Sequence, residues 1–213
     1  MKLTLHAFLS LDGVMQGPGG PEEDRSGGFE QGGWVVPFVG EEFGSIVDDW
    51  FAKTDELLLG RTTYDMMHAF WSQITDPDDA VASVLNTRPK HVVSTTMREP
   101  AWHNTSVIAD DVVATVERLK ARPGGELQVH GSCVLAHTLH DAGLVDEYRL
   151  IIFPVVVGHG KRLFNDGSVP GSFTLINSTT TSTGCVSLTL RPAGPLGHGD
   201  IDVVDGKEAI RPE

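Results

Sequence analysis

The sequence is built around short apolar runs that end at a glycine and lead directly into a helical pattern. The runs ELLLG and ELQVHG, at residues 56–60 and 126–131, are followed by apolar residues at helical spacing in residues 62–71 and 132–142. Such strand-to-helix units alternate early in the chain, whereas the later runs SFTLINSTTT and GCVSLTL predict an antiparallel hairpin. The sequence therefore predicts an α/β fold with a mixed, mostly parallel sheet.

Length and composition favour one compact domain followed by a tail. A chain of 213 residues that is 40% apolar can bury a full core, which we expect within residues 1–190. Residues 191–213 are rich in Gly, Pro and Asp, and we expect an irregular tail there. The many glycines and prolines between residues 13 and 44 predict a long mobile loop, and loops of that length are usually functional or disordered.

Charge and ligand spacing argue against several classes of protein. The 16 basic and 29 acidic residues give a formal net charge of −13, which disfavours nucleic acid and anionic membranes as partners. No segment approaches the roughly 20 apolar residues of a spanning helix, and the N terminus lacks a signal-peptide pattern. The cysteines, Cys133 and Cys185, and the histidines show no zinc-ligand spacing, so we expect no metal. These features predict a soluble cytoplasmic protein.

Three strand ends carry groups that suit a phosphate, and ligands of open α/β sheets bind beyond such ends. Residues 60–62 combine a glycine, an arginine and a threonine at a helix start, and residues 94–96 are three hydroxyl side chains. At residues 131–132 a glycine precedes a helix whose dipole favours an anion. Each junction has an ordinary alternative: a surface arginine, the frequency of threonine in strands, and a serine N-cap. The Rossmann, P-loop and α/β-hydrolase motifs are absent.

The stretch FLSLDGVMQGPGG, at residues 8–20, places a carboxylate, Asp12, where an apolar strand ends and the predicted loop begins. Asp-Gly after a strand is ordinary turn chemistry. A carboxylate at the edge of an apolar pocket would instead hydrogen-bond a heterocyclic ring, and burial would raise its pKa toward that of a useful proton donor. Asp12 is therefore either a turn residue or the candidate catalytic acid.

The ordered combination of these motifs resembles the dihydrofolate reductase-like fold, and within it the reductase domain of riboflavin biosynthesis and its stand-alone relatives. The matching stretches, in chain order, are FLSLDGVMQG, GGW, LLLGRTTYD, VVST, VHGSCVLAHTLHDAGLVDEYRL and FPVVVGHGKRLF. The resemblance spans about residues 1–190 and implies a mostly parallel sheet of about eight strands with flanking helices and a C-terminal antiparallel hairpin. It also implies NADPH-dependent reductase activity and a homodimer.

The resemblance assigns cofactor contacts to the matching positions. Residues 60–62 would approach the adenosine side of NADPH, with Arg61 facing the ribose phosphate that distinguishes NADPH from NADH. Residues 131–134 would hold the diphosphate, and Ala7 would border the nicotinamide. The full set of implied cofactor contacts is Ala7, Gly60, Arg61, Thr62, Ser94, Thr95, Thr96, His130, Gly131, Ser132, Cys133 and Val134.

The resemblance also implies substrate contacts at Gln16 and Trp34, with Asp12 as the catalytic residue. The biosynthetic reductases usually carry Ser and Lys just before this tryptophan to help hold a ribosyl phosphate, whereas this chain has Gly32 and Gly33. We therefore expect hydride transfer to a small heterocyclic, carbonyl or imine substrate, in a manner similar to 5-amino-6-(5-phosphoribosylamino)uracil reductase.

Two alternatives remain open at this point. A dihydrofolate reductase-type enzyme would carry its acidic substrate anchor on the first long helix, where Asp48 and Asp49 are the candidates. A non-catalytic NADPH-binding dimer would keep the phosphate-side motifs beside a divergent substrate loop. Binding of NADPH and turnover of a substrate distinguish these alternatives.

Overall fold

The computed structural model describes residues 1–212 and contains an eight-stranded sheet, flanking helices and a separate two-stranded hairpin. The strands are β1 (Lys2–Ser10), β2 (Thr54–Gly60), β3 (Lys90–Val93), β4 (Thr105–Ile108), β5 (Glu126–His130), β6 (Glu147–Phe153), β7 (Ser172–Thr180), β8 (Val186–Gly194), β9 (Gly199–Val204) and β10 (Lys207–Pro212). The α-helices are α1 (Glu41–Phe51), α2 (Arg61–Trp71), α3 (Ala80–Thr87), α4 (Val112–Lys120) and α5 (Cys133–Asp141). Over the described residues, none of these helices has the length and apolar character needed to cross a lipid bilayer.

The large sheet has the strand order β4-β3-β2-β5-β1-β6-β8-β7. The first six strands in this order run parallel to one another, while β8 is antiparallel to both β6 and β7. The predicted α/β class, the mostly parallel sheet of eight strands and the closing hairpin are therefore confirmed. The order places β1 between β5 and β6, at the centre of the molecule.

The central strand β1 contributes side chains to cores on both faces of the sheet. Leu3 and Leu5 are fully buried in a cluster that includes residues of α4 and α5. On the opposite face, the ring of Phe8 lies 5.4 Å from that of Phe43 and 6.1 Å from that of Trp50, both on α1. Burial on both faces is typical of parallel sheets flanked by helices, and it fixes the position of α1 relative to the strand ends.

The C-terminal tail differs from the irregular segment that the sequence analysis predicts. Strand β8 continues to Gly194, and residues 199–212 form the hairpin β9–β10, in which Ile201 lies opposite Ile210. The two strands are joined at Asp205 and Gly206, which both have positive φ. Asp-Gly between alternating apolar residues is a strong hairpin signal, which the overall composition of the tail concealed. The prediction of an irregular tail was therefore wrong for residues 199–212, and the domain boundary at residue 190 stays a prediction.

Helix α3 also begins later than predicted. The stretch DPDDAVASVLNTRPK, at residues 76–90, predicts a helix that is capped by Asp76 and has Pro77 in its first turn. The helix begins instead at Ala80. Asp79 is the actual cap, since its carboxylate accepts a hydrogen bond of 2.8 Å from the backbone N–H of Ala82. Asp76 and Asp79 are both suitable N-cap residues, and the cap is the one that directly precedes the apolar residues of the helix.

Candidate active site

A cavity of about 800 Å³ opens toward the carboxyl ends of β1, β2 and β5, which are neighbours in the sheet. Its walls come from the first turns of α2 and α5, from one face of α1, and from the segment between β1 and α1, here called the glycine-rich loop (residues 11–40). Open α/β sheets bind their ligands at this position, and the volume is typical of small-molecule sites. The cavity is therefore the candidate active site.

The two strand-to-helix turns at the cavity are joined to each other by one hydroxyl group. The backbone N–H of Gly60 donates a hydrogen bond of 2.8 Å to Oγ of Ser132, which in turn donates one of 2.8 Å to Oγ1 of Thr63. A Cβ atom at residue 60 would lie 3.1 Å from both Cβ and Oγ of Ser132. Glycine at residue 60 thus lets the second turn approach closely, and a larger residue would force Ser132 to shift.

The second turn has a strained backbone. Gly131 and Ser132 have φ values of +59° and +63°, and a serine in this region is uncommon. Within the described chain, α2 has no side-chain cap because its N-cap residue is Gly60, and α5 has none because the hydroxyl of Ser132 binds the other turn. The first-turn N–H groups of both helices are therefore available to an anion, which the helix dipoles also favour.

The structure brings most of the predicted site residues to this one cavity. The predicted residues that line it are Ala7, Gln16, Gly60, Arg61, Thr62, His130, Gly131, Ser132, Cys133 and Val134. Arg61 lies at the start of α2, where its Nε pairs with the carboxylate of Asp65 at 2.5 Å and both side chains are about half exposed. Their roles as cofactor or substrate contacts stay predictions.

Besides Asp12, four predicted residues lie outside the cavity lining. Ser94 accepts hydrogen bonds from the N–H groups of Thr96 and Met97, so its hydroxyl closes the turn after β3, and Thr95 and Thr96 are exposed. Trp34 donates from its indole N–H to the backbone oxygen of Gln16 at 2.9 Å, and in this way it holds a cavity residue without lining the cavity itself.

Asp12 occupies a different place from the one that the sequence analysis predicts. Its carboxylate accepts hydrogen bonds from the hydroxyl of Ser10 at 2.7 Å and from the N–H groups of Val157 at 3.0 Å and Gly158 at 2.8 Å. Burial raises the pKa of Asp12, but these hydrogen bonds outweigh it and hold the pKa well below its usual range. The prediction of an acid with a raised pKa was therefore wrong, since Asp12 is an ionised anchor outside the cavity lining.

Gln16 links two parts of the cavity wall: a later segment of its own glycine-rich loop and the segment around Lys161. Its amide nitrogen donates to the backbone oxygens of Asp24 at 3.1 Å and Ser26 at 2.9 Å, and its amide oxygen accepts from the N–H of Lys161 at 3.0 Å. The ammonium of Lys161 pairs with the carboxylate of Asp24 at 2.6 Å. Residues 17–24 line the cavity in this position, so the loop forms one of its walls.

Two stacked histidines form part of the cavity wall. His6 and His130 are 2% and 7% exposed, their ring centroids are 4.6 Å apart, and His130 also stacks on Phe51. Nε2 of His6 lies 3.0 Å from Oγ1 of Thr4, and Nε2 of His130 lies 2.9 Å from Oε1 of Gln128. Burial lowers the pKa of both rings, that of His130 to about 3, so both are neutral at physiological pH. The sequence analysis missed His6, although the alternation of β1 places it on the same sheet face as Thr4.

The chain matches the family model described as the RibD C-terminal domain over residues 1–187. The chain belongs to the RibD C-terminal domain family. Uncharacterized protein YyaP of Bacillus subtilis (strain 168) is 29% identical over 191 residues, which are 88% of this chain and 93% of YyaP. The predicted resemblance to the riboflavin-biosynthesis reductase domain is thus confirmed at the level of the family.

Two solved structures show the fold of this RibD C-terminal domain. A putative riboflavin biosynthesis protein from Shewanella sp. PV-4 is 22% identical, with a TM-score of 0.68, over 90% of this chain and 99% of the other. The dihydrofolate reductase of Enterococcus faecalis in complex with NADP(H) is 13% identical, with a TM-score of 0.56, over 90% of this chain and 96% of the other. The dihydrofolate reductase-like fold is therefore confirmed.

The RibD C-terminal domain of this chain also has an apolar cavity wall that the sequence analysis missed. The apolar side chains of this wall include Phe8, Met15, Val47, Trp50, Phe51, Met66, Met67, Phe70, Trp71 and Val81. The helical spacing of those on α1 and α2 was the available signal, but apolar spacing alone does not separate a core face from a cavity face. Asp48 and Asp49, the candidate acidic anchors, are exposed and lie outside the cavity lining.

Proposed function

We propose that this chain is an NADPH-dependent reductase that transfers a hydride to a small heterocyclic, carbonyl or imine substrate. The observation that carries the proposal is the bond between Gly60 and Ser132, which joins two uncapped helix N termini beside one cavity. Membership of the RibD C-terminal domain family supports an oxidoreductase, and the related Enterococcus faecalis structure is a complex with NADP(H).

The residues at the two turns fit a phosphorylated dinucleotide. First-turn N–H groups of α2 and α5 would hold the phosphates near the axis of each helix, and Arg61 would pair with the ribose phosphate. A glycine at residue 60 and a positive φ at Gly131 let the backbone approach the ligand closely. When bound, the cofactor supplies the hydride, and the protein supplies orientation, exclusion of water and a proton.

The proton source that we propose is Glu23, in place of Asp12. Glu23 lines the cavity, and its carboxyl group accepts hydrogen bonds from the N–H groups of Gly19 and Gly20. Burial raises the pKa of Glu23 despite these hydrogen bonds, so the group holds a proton to a higher pH than an ordinary carboxyl. Glu23 would donate its proton to the nitrogen or oxygen of the C=N or C=O group that accepts the hydride, and the carboxylate would take up a proton from the solvent for the next turnover.

The dihydrofolate reductase-type alternative is less well supported. Helix α1 presents Val47, Trp50 and Phe51 to the cavity, while Asp48 and Asp49 face away from it. An acidic anchor for a pteridine ring would thus be missing from this helix. A non-catalytic NADPH-binding protein remains the competing proposal, and absence of turnover with any acceptor would favour it. The proposal also includes a homodimer in the cytoplasm, which light scattering and cell fractionation test.

Titration of the purified protein with NADPH and with NADH tests the cofactor. We expect NADPH to bind more tightly, and Arg61→Ala to reduce this preference by roughly tenfold or more, because a charge-assisted hydrogen bond contributes about 1.5–3 kcal/mol. Arg118→Ala is the matched control, since Arg118 is an exposed arginine on α4 outside the cavity lining. Equal affinities for the two nucleotides, or an Arg61→Ala variant with unchanged preference, would contradict the proposal.

A further inference from the structure

The cavity extends along α2, away from the two strand-to-helix turns at Gly60 and Gly131. Arg61 and Phe70 both line it and are nine residues apart on this helix, so the cavity is about 14 Å long in this direction at 1.5 Å per residue. The uncapped helix N termini lie at the Arg61 end. A cofactor whose phosphates bind there leaves the Phe70 end of the cavity for the substrate.

The cavity wall along α2 and the facing sides of α1 and α3 is apolar, and we call it the apolar arm: Val47, Phe51, Met67, Phe70, Trp71 and Val81. Its inner end is Phe51, which stacks on His130. All residues of the apolar arm except Phe70 belong to one packed cluster between α1, α2 and α3, so their positions are held by the fold. Phe70 is 57% exposed and its ring lies 5.0 Å from that of Trp71. An exposed aromatic ring that continues a buried apolar wall offers a surface for a flat ring.

The charged groups at the cavity do not suit a second phosphate. Among the described residues, the lysines and arginines of the cavity are Arg61, which the proposed function assigns to the cofactor, and Lys161, which pairs with Asp24 at 2.6 Å. Glu22, Glu23 and Asp24 also line the cavity. The charged groups that the cavity offers to a phosphorylated substrate are therefore carboxylates rather than free cations, in a chain of net charge −13.

Position 32 of the glycine-rich loop cannot supply a cation either, and Arg25 of this loop lies outside the cavity lining. A Cβ atom at Gly32 would lie 2.5 Å from the backbone oxygen of Gly20 and 2.8 Å from Cα of Pro21, both of which line the cavity. The loop therefore packs on itself at this point and admits no side chain. Between Gln16 and the carboxylates, the part of the loop that lines the cavity consists of glycines and prolines, in residues 17–21.

We propose that the substrate is an uncharged, flat and largely apolar ring compound that lies in the apolar arm, and that ribosyl phosphates are excluded from it. This inference rests on the proposed reductase function, which assigns the phosphate-binding end of the cavity to NADPH. The apolar side chains bind the ring by burying its faces, and the carboxylates at the cavity repel a phosphate.

A matched pair of probes tests the inference. Lumiflavin and flavin mononucleotide carry the same ring system, and the second adds a ribityl phosphate. With the protein saturated with NADP⁺, we expect lumiflavin to quench tryptophan fluorescence with a dissociation constant at least about tenfold lower than that of flavin mononucleotide. Equal or tighter binding of flavin mononucleotide, or no saturable binding of lumiflavin, overturns the inference.

Two lysine substitutions locate the binding. Phe70→Lys should weaken lumiflavin binding and strengthen that of flavin mononucleotide, so that the ratio of the two constants falls several-fold. Leu175→Lys is the control, because Leu175 is 55% exposed on β7, outside the cavity lining, and its variant should keep the original ratio. An unchanged ratio in Phe70→Lys overturns the inference. Failure of NADPH itself to bind would contradict the proposed function instead. The same comparison of lumiflavin and flavin mononucleotide without cofactor would then still test whether the apolar arm binds an uncharged ring.

Discussion

His6 and His130 stack with 4.6 Å between ring centroids and 24° between ring planes, at paired positions of the neighbouring parallel strands β1 and β5. Both rings are buried in the cavity wall, and burial is the largest cause of their lowered pKa values. Nδ1 of His6 has no hydrogen-bond partner among the described residues. The pair therefore provides a neutral, flat polar surface next to Ala7, where the proposed nicotinamide would lie.

This pair predicts a loss of stability in mild acid. The pKa of His130 falls from its usual 6.5 in the unfolded chain to about 3 in the folded protein, so the unfolded state binds protons first as the pH drops. The contribution of His130 to the free energy of unfolding is fully present above about pH 6.5. Between pH 6 and pH 4 this contribution should fall by roughly 1 kcal/mol per pH unit. Urea unfolding at pH 7 and pH 5 measures this change.

The histidine origin of that change can be isolated. Asp12 and Glu147 have lowered pKa values, so their contributions are lost only below the unfolded carboxyl range near pH 4. His130→Gln should therefore make the dependence between pH 7 and pH 5 shallower and leave the part that belongs to His6, whereas His103→Gln, at an exposed site, should not change it. An equally steep dependence in His130→Gln would contradict the assignment.

Gly60→Ala should weaken cofactor binding without unfolding the protein. The added Cβ would lie 3.1 Å from Ser132, which must move and shift the first turn of α5. We expect the dissociation constant for NADPH to rise about tenfold while the free energy of unfolding changes by about 1 kcal/mol. Fluorescence titration and urea unfolding measure the two quantities.

Gly44→Ala is the matched control for this substitution. Gly44 lies within α1, and a Cβ atom there has no neighbour within 4 Å in the described structure. Alanine should stabilise the helix by about 0.5–1 kcal/mol and leave NADPH binding unchanged. If both variants bound NADPH like the unmodified protein, the close approach of the two turns would have no role in binding.

Asp12→Asn should reduce stability and leave cofactor binding intact. The amide loses the charge that accepts hydrogen bonds from Ser10, Val157 and Gly158, and hydrogen bonds to a charged group contribute about 1.5–3 kcal/mol. Urea unfolding should show a loss of roughly 2 kcal/mol, compared with little change in the exposed variant Asp110→Asn. Unchanged stability together with lost turnover would return Asp12 to the catalytic role that the sequence analysis predicts.

Glu23→Gln should lower turnover at every pH without changing the affinity for NADPH. The acid must be protonated to act, so the activity of the unmodified protein should fall as pH rises through the raised pKa of Glu23. A panel of uncharged ring acceptors, followed by the absorbance of NADPH, supplies the assay. Glu30→Gln, at an exposed position of the same loop outside the cavity lining, should retain both the rate and the pH profile. A Glu23→Gln enzyme with the original profile would exclude Glu23 as the proton source.

Local patterns in the sequence were sufficient to predict the α/β class and the order of the strands and helices along the chain. The alternation of β1, the glycine before α2 and the glycine before α5 each act within a few residues, because strand and helix periodicity are local properties. The hairpin of the C-terminal tail also has a local signal, the Asp-Gly pair at Asp205 and Gly206. The prediction of an irregular tail gave more weight to the Gly, Pro and Asp content of the segment than to this pair.

The amino-acid sequence by itself determined the elements, their order and the glycine turns that meet at the cavity. Only the tertiary structure decided what the individual side chains do. Asp12 accepts hydrogen bonds from the N–H groups of Val157 and Gly158, and Ser132 accepts one from the N–H of Gly60. The partners of these hydrogen bonds lie far apart in sequence. Such contacts depend on strand order and register, which residue types do not encode locally, and the same packing decides which apolar helix face borders a cavity instead of a core.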